Sequence, residues 1–233
     1  MNAVITGATK GIGRATALKL AKDGFNLILG ARTEHSIHEL VDFLAAEYPA
    51  QQFTGLATDV ANETDLKKLV EFALHQFPEI DVLVNNAGIF IPSGILDEEE
   101  GSLETQWAIN VKAAHYLCKA FGKKMRENQR GHIFNICSIA GKVPVATAGS
   151  YSVTKFALVG LTNVLREELK PNKVKVTAVI PGSTLTDSWS GTTLPAELFV
   201  QAEDVALAIS AAIQMSSGAN VDEIVITPLT GQI

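Results

Sequence analysis

The chain opens Met1-Asn2-Ala3-Val4-Ile5-Thr6-Gly7-Ala8-Thr9-Lys10-Gly11-Ile12-Gly13, and this stretch decides the fold. Ala3 to Thr6 is a short apolar run of strand type. It passes directly into a turn carrying Gly7, Gly11 and Gly13, after which Arg14 to Asp23 shows helical periodicity. Glycine permits positive φ and lets backbone approach a ligand closely, while the unpaired N–H groups and dipole of a helix start attract phosphate. Taken alone, the cluster also admits a second reading as a tight turn that binds nothing.

The alternation continues outward from that stretch. Strand-like segments at Leu27 to Leu29, Phe53 to Thr58, Val82 to Asn85, His132 to Cys137, Lys175 to Ile180 and Glu223 to Thr227 are separated by helical ones. The helices are expected at Ser36 to Glu47, Glu63 to Gln76, Leu103 to Glu127, Ser152 to Leu169 and Ala202 to Met215. This pattern predicts an α/β Rossmann fold, a mostly parallel seven-stranded sheet with helices on both faces and right-handed crossovers. No short repeat and no Gly/Ser-rich or Pro-rich linker divides the 233 residues, so one domain over 1–233 is expected.

In that setting the glycine turn becomes a dinucleotide site. Chains that bind NAD place an acid about 20 residues on, at the end of the second strand, against the ribose hydroxyls. Here that place reads Gly30-Ala31-Arg32. No carboxylate stands there to repel a 2'-phosphate, Arg32 offers a planar donor fork, and Lys10 adds a second cation, which predicts NADP(H) over NAD(H). The competing reading makes Arg32 a surface residue paired with Glu34.

Composition narrows the partners. Lys and Arg total 19 against 25 Asp and Glu, a formal charge of -6, which argues against nucleic acid or an anionic membrane. The one basic cluster, Lys123, Lys124, Arg126 and Arg130, falls where a helix ends and suits the negative end of its dipole. No apolar run reaches the roughly 18 to 20 residues of a membrane span, and the first strand begins too early to admit a signal peptide. Cys118 and Cys137 are too few for a disulfide framework, so a reducing, cytoplasmic location is expected. No metal site is expected either. His35 and His38 lack a third ligand, His75, His115 and His132 stand without support, and Asp97-Glu98-Glu99-Glu100 precedes a helix, where negative charge is favoured.

Further motifs follow in order: Asn85-Asn86-Ala87-Gly88 after the fourth strand, Asn110 in a helix, Ser138 after the fifth, Tyr151-x-x-x-Lys155, and Pro181-Gly182 after the sixth. In this order and spacing the sequence resembles the short-chain dehydrogenase/reductase family over essentially its whole length. The residues support the implied chemistry on their own terms. Reducing a carbonyl takes a hydride and a proton, so a positioned acid must face the cofactor. A phenol suits neutral pH poorly unless a nearby cation stabilises its ionised form. Lys155, one helical turn after Tyr151, supplies that charge and makes Tyr151 the expected acid/base.

By the same resemblance, Ser138 hydrogen-bonds the substrate oxygen, Lys155 also grips the nicotinamide ribose, and Asn110 holds a water linking Lys155 to solvent. Tyr151 and Lys155 thus count among the cofactor contacts as well. The others implied are Gly7, Thr9, Lys10, Gly11, Ile12 and Gly13 at the turn, Arg32, Asp59 and Val60 after the third strand, and Asn86, Ala87 and Gly88. Pro181, Gly182, Thr184 and Thr186 would lie along the nicotinamide carboxamide. Asn85 matches the ribose turn and also suits bracing of the sheet, while Asp59 equally suits capping of the next helix. Thr184 departs from the family pattern, where a β-branched apolar residue is common; a backbone contact would survive the change.

Substrate contacts are expected from Phe90, Ile91, Ile139, Val143, Val145 and the segment Ser183 to Glu197 with Trp189, a mostly apolar set. The expected function is NADP(H)-dependent hydride transfer between nicotinamide and a small-molecule carbonyl or secondary alcohol. Two rivals are a 3-oxoacyl-carrier-protein reductase and a non-catalytic dinucleotide sensor. The first docks its acidic carrier through two arginines whose matching positions are Gln129 and Asn172, with Arg130 and Lys173 adjoining. The tail Val221 to Pro228 looks more like small hydroxyacid and carbonyl reductases. Against the sensor stands the complete set Ser138, Tyr151 and Lys155, since function belongs to the site and not the fold. Relatives associate through the helices holding Asn110 and Tyr151, implying a homodimer or homotetramer. The stripe Phe156, Leu158, Val159, Leu161 and Leu165 is read as core or subunit interface.

Overall fold

The computed structural model describes residues 1–232. Its strands are β1 (Asn2–Thr6), β2 (Asn26–Ala31), β3 (Phe53–Ala57), β4 (Val82–Asn85), β5 (Gly131–Ile136), β6 (Val174–Pro181), β7 (Thr184–Leu185), β8 (Val200–Gln201) and β9 (Glu223–Ile226). The main helices are α1 (Gly11–Lys22), α2 (Glu34–Glu47), α3 (Glu63–Gln76), α4 (Ser102–Trp107), α5 (Ala113–Asn128), α6 (Gly149–Leu169) and α7 (Ala202–Ile213). Seven strands form one sheet in the order β3-β2-β1-β4-β5-β6-β9, every pairing parallel. This is the Rossmann arrangement expected from the β-α alternation.

A parallel sheet is covered on both faces, so its strands read as continuous apolar runs. Ala3-Val4-Ile5, Leu27-Ile28-Leu29 and Val82-Leu83-Val84 are all buried. Alternate residues feed opposite cores. Ile5, Leu27, Leu29 and Val84 pack with Leu20 of α1, Leu44 of α2 and Ile209 of α7. Val4, Ile28 and Leu83 pack with Leu69 of α3 and with Leu117 and Phe121 of α5. Burying one such side chain is worth about 1.5–3 kcal/mol, which makes the repeated aliphatic runs the main source of stability. His132 is part of this interior, stacked on Phe134 with centroids 3.9 Å apart and bonded through Nε2 to Thr177 Oγ1 at 2.8 Å. Burial, with the charge of Lys175 second, pushes its pKa down to about 3.

Three departures from periodicity bear on the site. α1 starts at Gly11, earlier than its apolar pattern, because the glycines before Arg14 contribute no hydrophobic face. The helix expected over Leu103 to Glu127 is interrupted by a π-helical turn, Ala108–Lys112, that contains Asn110; such turns commonly mark functional positions. β7 and β8 form a small parallel pair outside the main sheet, too short to carry a pattern. Strand order reverses between β1 and β4, and the crevice at their carboxyl ends is where such sheets bind ligands. Among the described residues no helix is long and apolar enough to cross a membrane.

Candidate active site

The glycine turn is shaped for close approach. Gly7 and Gly11 hold φ of +62° and +48°, and a Cβ at Gly13 would lie 2.2 Å from Gly7 O and 2.4 Å from Asn86 Nδ2. Only glycine fits there. Asn86 Nδ2 donates to Thr6 O and Gly7 O, each at 3.0 Å, and the N–H groups of Asn86 and Ala87 donate to Thr6 Oγ1, each at 3.1 Å. The exits of β1 and β4 are thereby tied together, and the Asn86 side chain is committed to that tie. α1 opens at Lys10 with no side-chain cap and no acid in its first turn. Its leading N–H groups are therefore free for an anionic ligand, and the cradle fits a diphosphate.

Along the rim, Arg32 is exposed at the exit of β2. Among the described residues no ion pair or hydrogen bond ties it to Glu34, so its guanidinium is not engaged by that carboxylate. Lys10 has an unforeseen partner in Asp187, at 2.7 Å with both side chains largely exposed. Asp59 is exposed and its Oδ1 accepts from Ala61 N at 3.0 Å. The cap of α3 is Asn62, which accepts from Thr64 N at 2.9 Å and Asp65 N at 3.4 Å, so Asp59 is not needed for that task. Val60 is buried in the core beside Ile28 and Leu83. Asn85 braces the sheet, donating through Nδ2 to Asn135 Oδ1 at 2.8 Å and to Cys118 Sγ at 3.2 Å.

The candidate catalytic residues converge from α6, β5 and the π turn. Lys155 is 4% exposed, its Nζ donates to Ile136 O at 2.9 Å, and it sits 5.6 Å from the centroid of the Tyr151 ring. An ammonium carries three donors, so donors remain for a ligand. Tyr151 is half-buried and meets the edge of Phe90 at a centroid distance of 4.8 Å. Asn110 accepts from Ile89 N at 2.8 Å and donates to Ile89 O and Thr154 Oγ1, each at 3.0 Å. Thr154 Oγ1 in turn donates to Tyr151 O at 2.7 Å, which joins the π turn to the helix of Tyr151 and Lys155. A Cβ at Gly88 would stand 3.3 Å from Asn110 Oδ1 and 3.6 Å from Lys155 Nζ, placing Gly88 beside both.

Ser138 caps the 3₁₀ turn Ile139–Gly141, accepting from Ala140 N at 3.2 Å and keeping its hydroxyl hydrogen for another partner. A Cβ at Gly141 would come within 2.7 Å of Lys155 O, so this turn packs directly on α6 and brings Ser138 to the same end. Neighbouring Cys137 is not a competing nucleophile. Burial pushes its thiol up to about 11, Lys155 opposing only in part.

On the far side, Gly182 N donates to Ile226 O at 2.8 Å. Thr184 is buried with its hydroxyl satisfied by Gly182 O at 2.9 Å, which accounts for a polar residue at that position. Thr186 reaches the glycine turn, its Cγ2 lying 3.0 Å from where a Gly11 Cβ would stand. Of the apolar set expected to meet substrate, Val143 and Val145 are exposed and Trp189 packs edge-on against Phe199 at 4.9 Å. Ile139 instead packs against the core group of Cys137, Leu158 and Ile180. Sequence reasoning missed Phe199, whose sole signal is its place in the apolar run Leu198-Phe199-Val200. The Phe156 stripe divides as well, Leu158 entering the core and Phe156 staying 44% exposed.

Comparison with known proteins agrees with this geometry. The family described as short chain dehydrogenase matches residues 1–195. An uncharacterized oxidoreductase of Staphylococcus epidermidis is 33% identical over 227 residues, 97% of this chain and 96% of that protein. An alcohol dehydrogenase from the archaeon Thermococcus sibiricus, solved in complex with 5-hydroxy-NADP, superposes with a TM-score of 0.93 at 25% identity, covering 100% of this chain and 98% of its own. L-Sorbose reductase from Gluconobacter frateurii, complexed with NADPH and L-sorbose, gives 0.90 at 26% identity over 97% of this chain and 94% of its own. With the glycine turn, the Tyr151 and Lys155 pair and the parallel sheet all in place, the chain belongs to the short-chain dehydrogenase family and is an oxidoreductase.

Proposed function

We propose that the protein binds NADP(H) and moves hydride between the nicotinamide and a small-molecule carbonyl or secondary alcohol, with Tyr151 as general acid/base. The observation that carries this reading is the buried Lys155 ammonium beside the Tyr151 ring, 5.6 Å from its centroid, at the open end of the switch-point crevice. When bound, the cofactor supplies or accepts the hydride. Tyr151 Oη gives its proton to the substrate oxygen during reduction and takes it back during oxidation. The Lys155 charge stabilises the phenolate left at Tyr151 Oη, and its spare donors suit ribose hydroxyls. Ser138 donates its free hydroxyl hydrogen to the same substrate oxygen. Asn110 holds the π turn against α6 and so keeps Lys155 and Tyr151 in register.

For the 2'-phosphate, Arg32 offers an unpaired guanidinium, and Lys10 joins it by leaving Asp187. An exposed ion pair is worth about 0–1 kcal/mol, so that exchange meets little resistance. The NADP forms held by the alcohol dehydrogenase and the sorbose reductase support the same cofactor here. A carrier-protein substrate is less well supported. Arg130, adjoining one carrier-docking position, is engaged by Asp81. The exposed Val143 and Val145 and the aromatic Phe90 favour a small, weakly polar carbonyl compound. Assaying NADPH oxidation over simple ketones, aldehydes and 3-oxoacyl thioesters tests the reading. Turnover is expected with simple carbonyls ahead of the thioesters, and no oxidation with any of them would overturn it.

A further inference from the structure

Gly182 does not owe its identity to backbone conformation, since it is absent from the positive-φ glycines. Its space is taken by a side chain from the far end of the chain. A Cβ at Gly182 would lie 2.4 Å from Gln232 Nε2 and 2.7 Å from Gln232 Oε1. The tail returns there through a turn, Gly231 N donating to Pro228 O at 3.1 Å with Gly231 at φ +101°, a conformation glycine adopts without strain. Gln232 Oε1 then accepts from Ser183 N at 2.9 Å and from Ser183 Oγ at 3.2 Å. On its other sides the segment is held by Gly182 N to Ile226 O at 2.8 Å and Val200 N to Ser183 O at 3.0 Å. Backbone at 182–183 is therefore held by β9, by β8 and, among the contacts of Ser183, by the Gln232 side chain.

We infer that Gln232 is a positioning residue for the nicotinamide half of the cofactor, acting through Ser183 and Gly182. The inference rests on the proposal that Pro181 to Thr186 runs along the nicotinamide carboxamide. Without the Gln232 acceptor, Ser183 N loses that bond and the segment gains freedom that cofactor binding must then remove, which lowers affinity. The adenosine half would lie at Gly7 to Gly13, Arg32 and Asp59, on other strands, and is independent of this contact.

Two variants separate the effects. Gln232→Met keeps length and bulk but removes the acceptor, whereas Gln232→Glu retains an acceptor oxygen at the same reach. Wild type and both variants are titrated with NADPH and with adenosine 2',5'-bisphosphate, which lacks the nicotinamide. Gln232→Met is expected to weaken NADPH by about five- to tenfold, the value of one lost hydrogen bond, and to leave the bisphosphate within about twofold. Gln232→Glu restores NADPH binding. A Met variant that binds NADPH like wild type, or that weakens both ligands equally, overturns the role of Gln232. A wild type that binds neither ligand overturns the functional reading itself, and this inference with it.

Discussion

Arg32 and Lys10 face the same rim but stand differently. Arg32 has no partner among the described residues, while Lys10 is held by Asp187. A charge-assisted bond from a guanidinium to phosphate is worth about 1.5–3 kcal/mol. Arg32→Ala should therefore weaken NADPH by roughly ten- to a hundredfold and leave NADH unchanged. Fluorescence titration with both cofactors checks this; an unaltered preference would remove Arg32 from the phosphate site. At this scale the sequence was legible where spacing alone fixes geometry, as in Tyr151 and Lys155 one turn apart. It was not legible for Arg32 against Glu34, because whether two adjacent side chains pair depends on directions that no spacing specifies. Asp59 and Asn62 illustrate the same limit, since either type of residue caps a helix and it is Asn62 whose side chain accepts from Thr64 N and Asp65 N.

Helix α6 presents Val153, Phe156 and Val164 to the surface, 43%, 44% and 68% exposed. Gly160, on the same face, has nothing within 4 Å of where a Cβ would stand. Glycine inside a helix costs about 1 kcal/mol against alanine, a cost that close approach by a second helix would explain. Leu103 and Trp107 of α4 add to the apolar surface, with Val153 beside them. Such contiguous apolar faces are usual at subunit contacts, so a homodimer or homotetramer joined through these helices is expected. Light scattering should report an oligomer for wild type and a smaller species for Phe156→Glu, and a monomeric wild type would rule the assembly out. Long, capped elements such as α3, with Asn62 before Glu63 to Gln76, follow their sequence pattern closely. The π turn does not, since one extra residue per turn leaves the apolar spacing on either side nearly unchanged. Two-residue strands such as β7 and β8 have no period to detect.

Across the whole molecule, the strand order gathers residues that are remote in the chain. Asn86 bonds to Gly7, Asn110 to Thr154, and Ser183 to Gln232, with separations of 79, 44 and 49 residues. The first junction is of a kind the sequence foreshadows, because Gly7 and Asn86 each follow a strand and parallel strands put all their carboxyl ends on one edge; the second, between residues inside helical turns, is not. Nor is the third, because it depends on a glycine turn beyond the last strand and on a single side chain. Proton transfer at this edge is proposed to be the work of one phenol, that of Tyr151. The most direct test is Tyr151→Phe, measured both by NADPH binding and by single-turnover reduction of whichever carbonyl compound wild type accepts. Turnover should fall by on the order of a hundred- to ten-thousandfold while NADPH affinity stays within about twofold of wild type; turnover close to wild type would contradict the account.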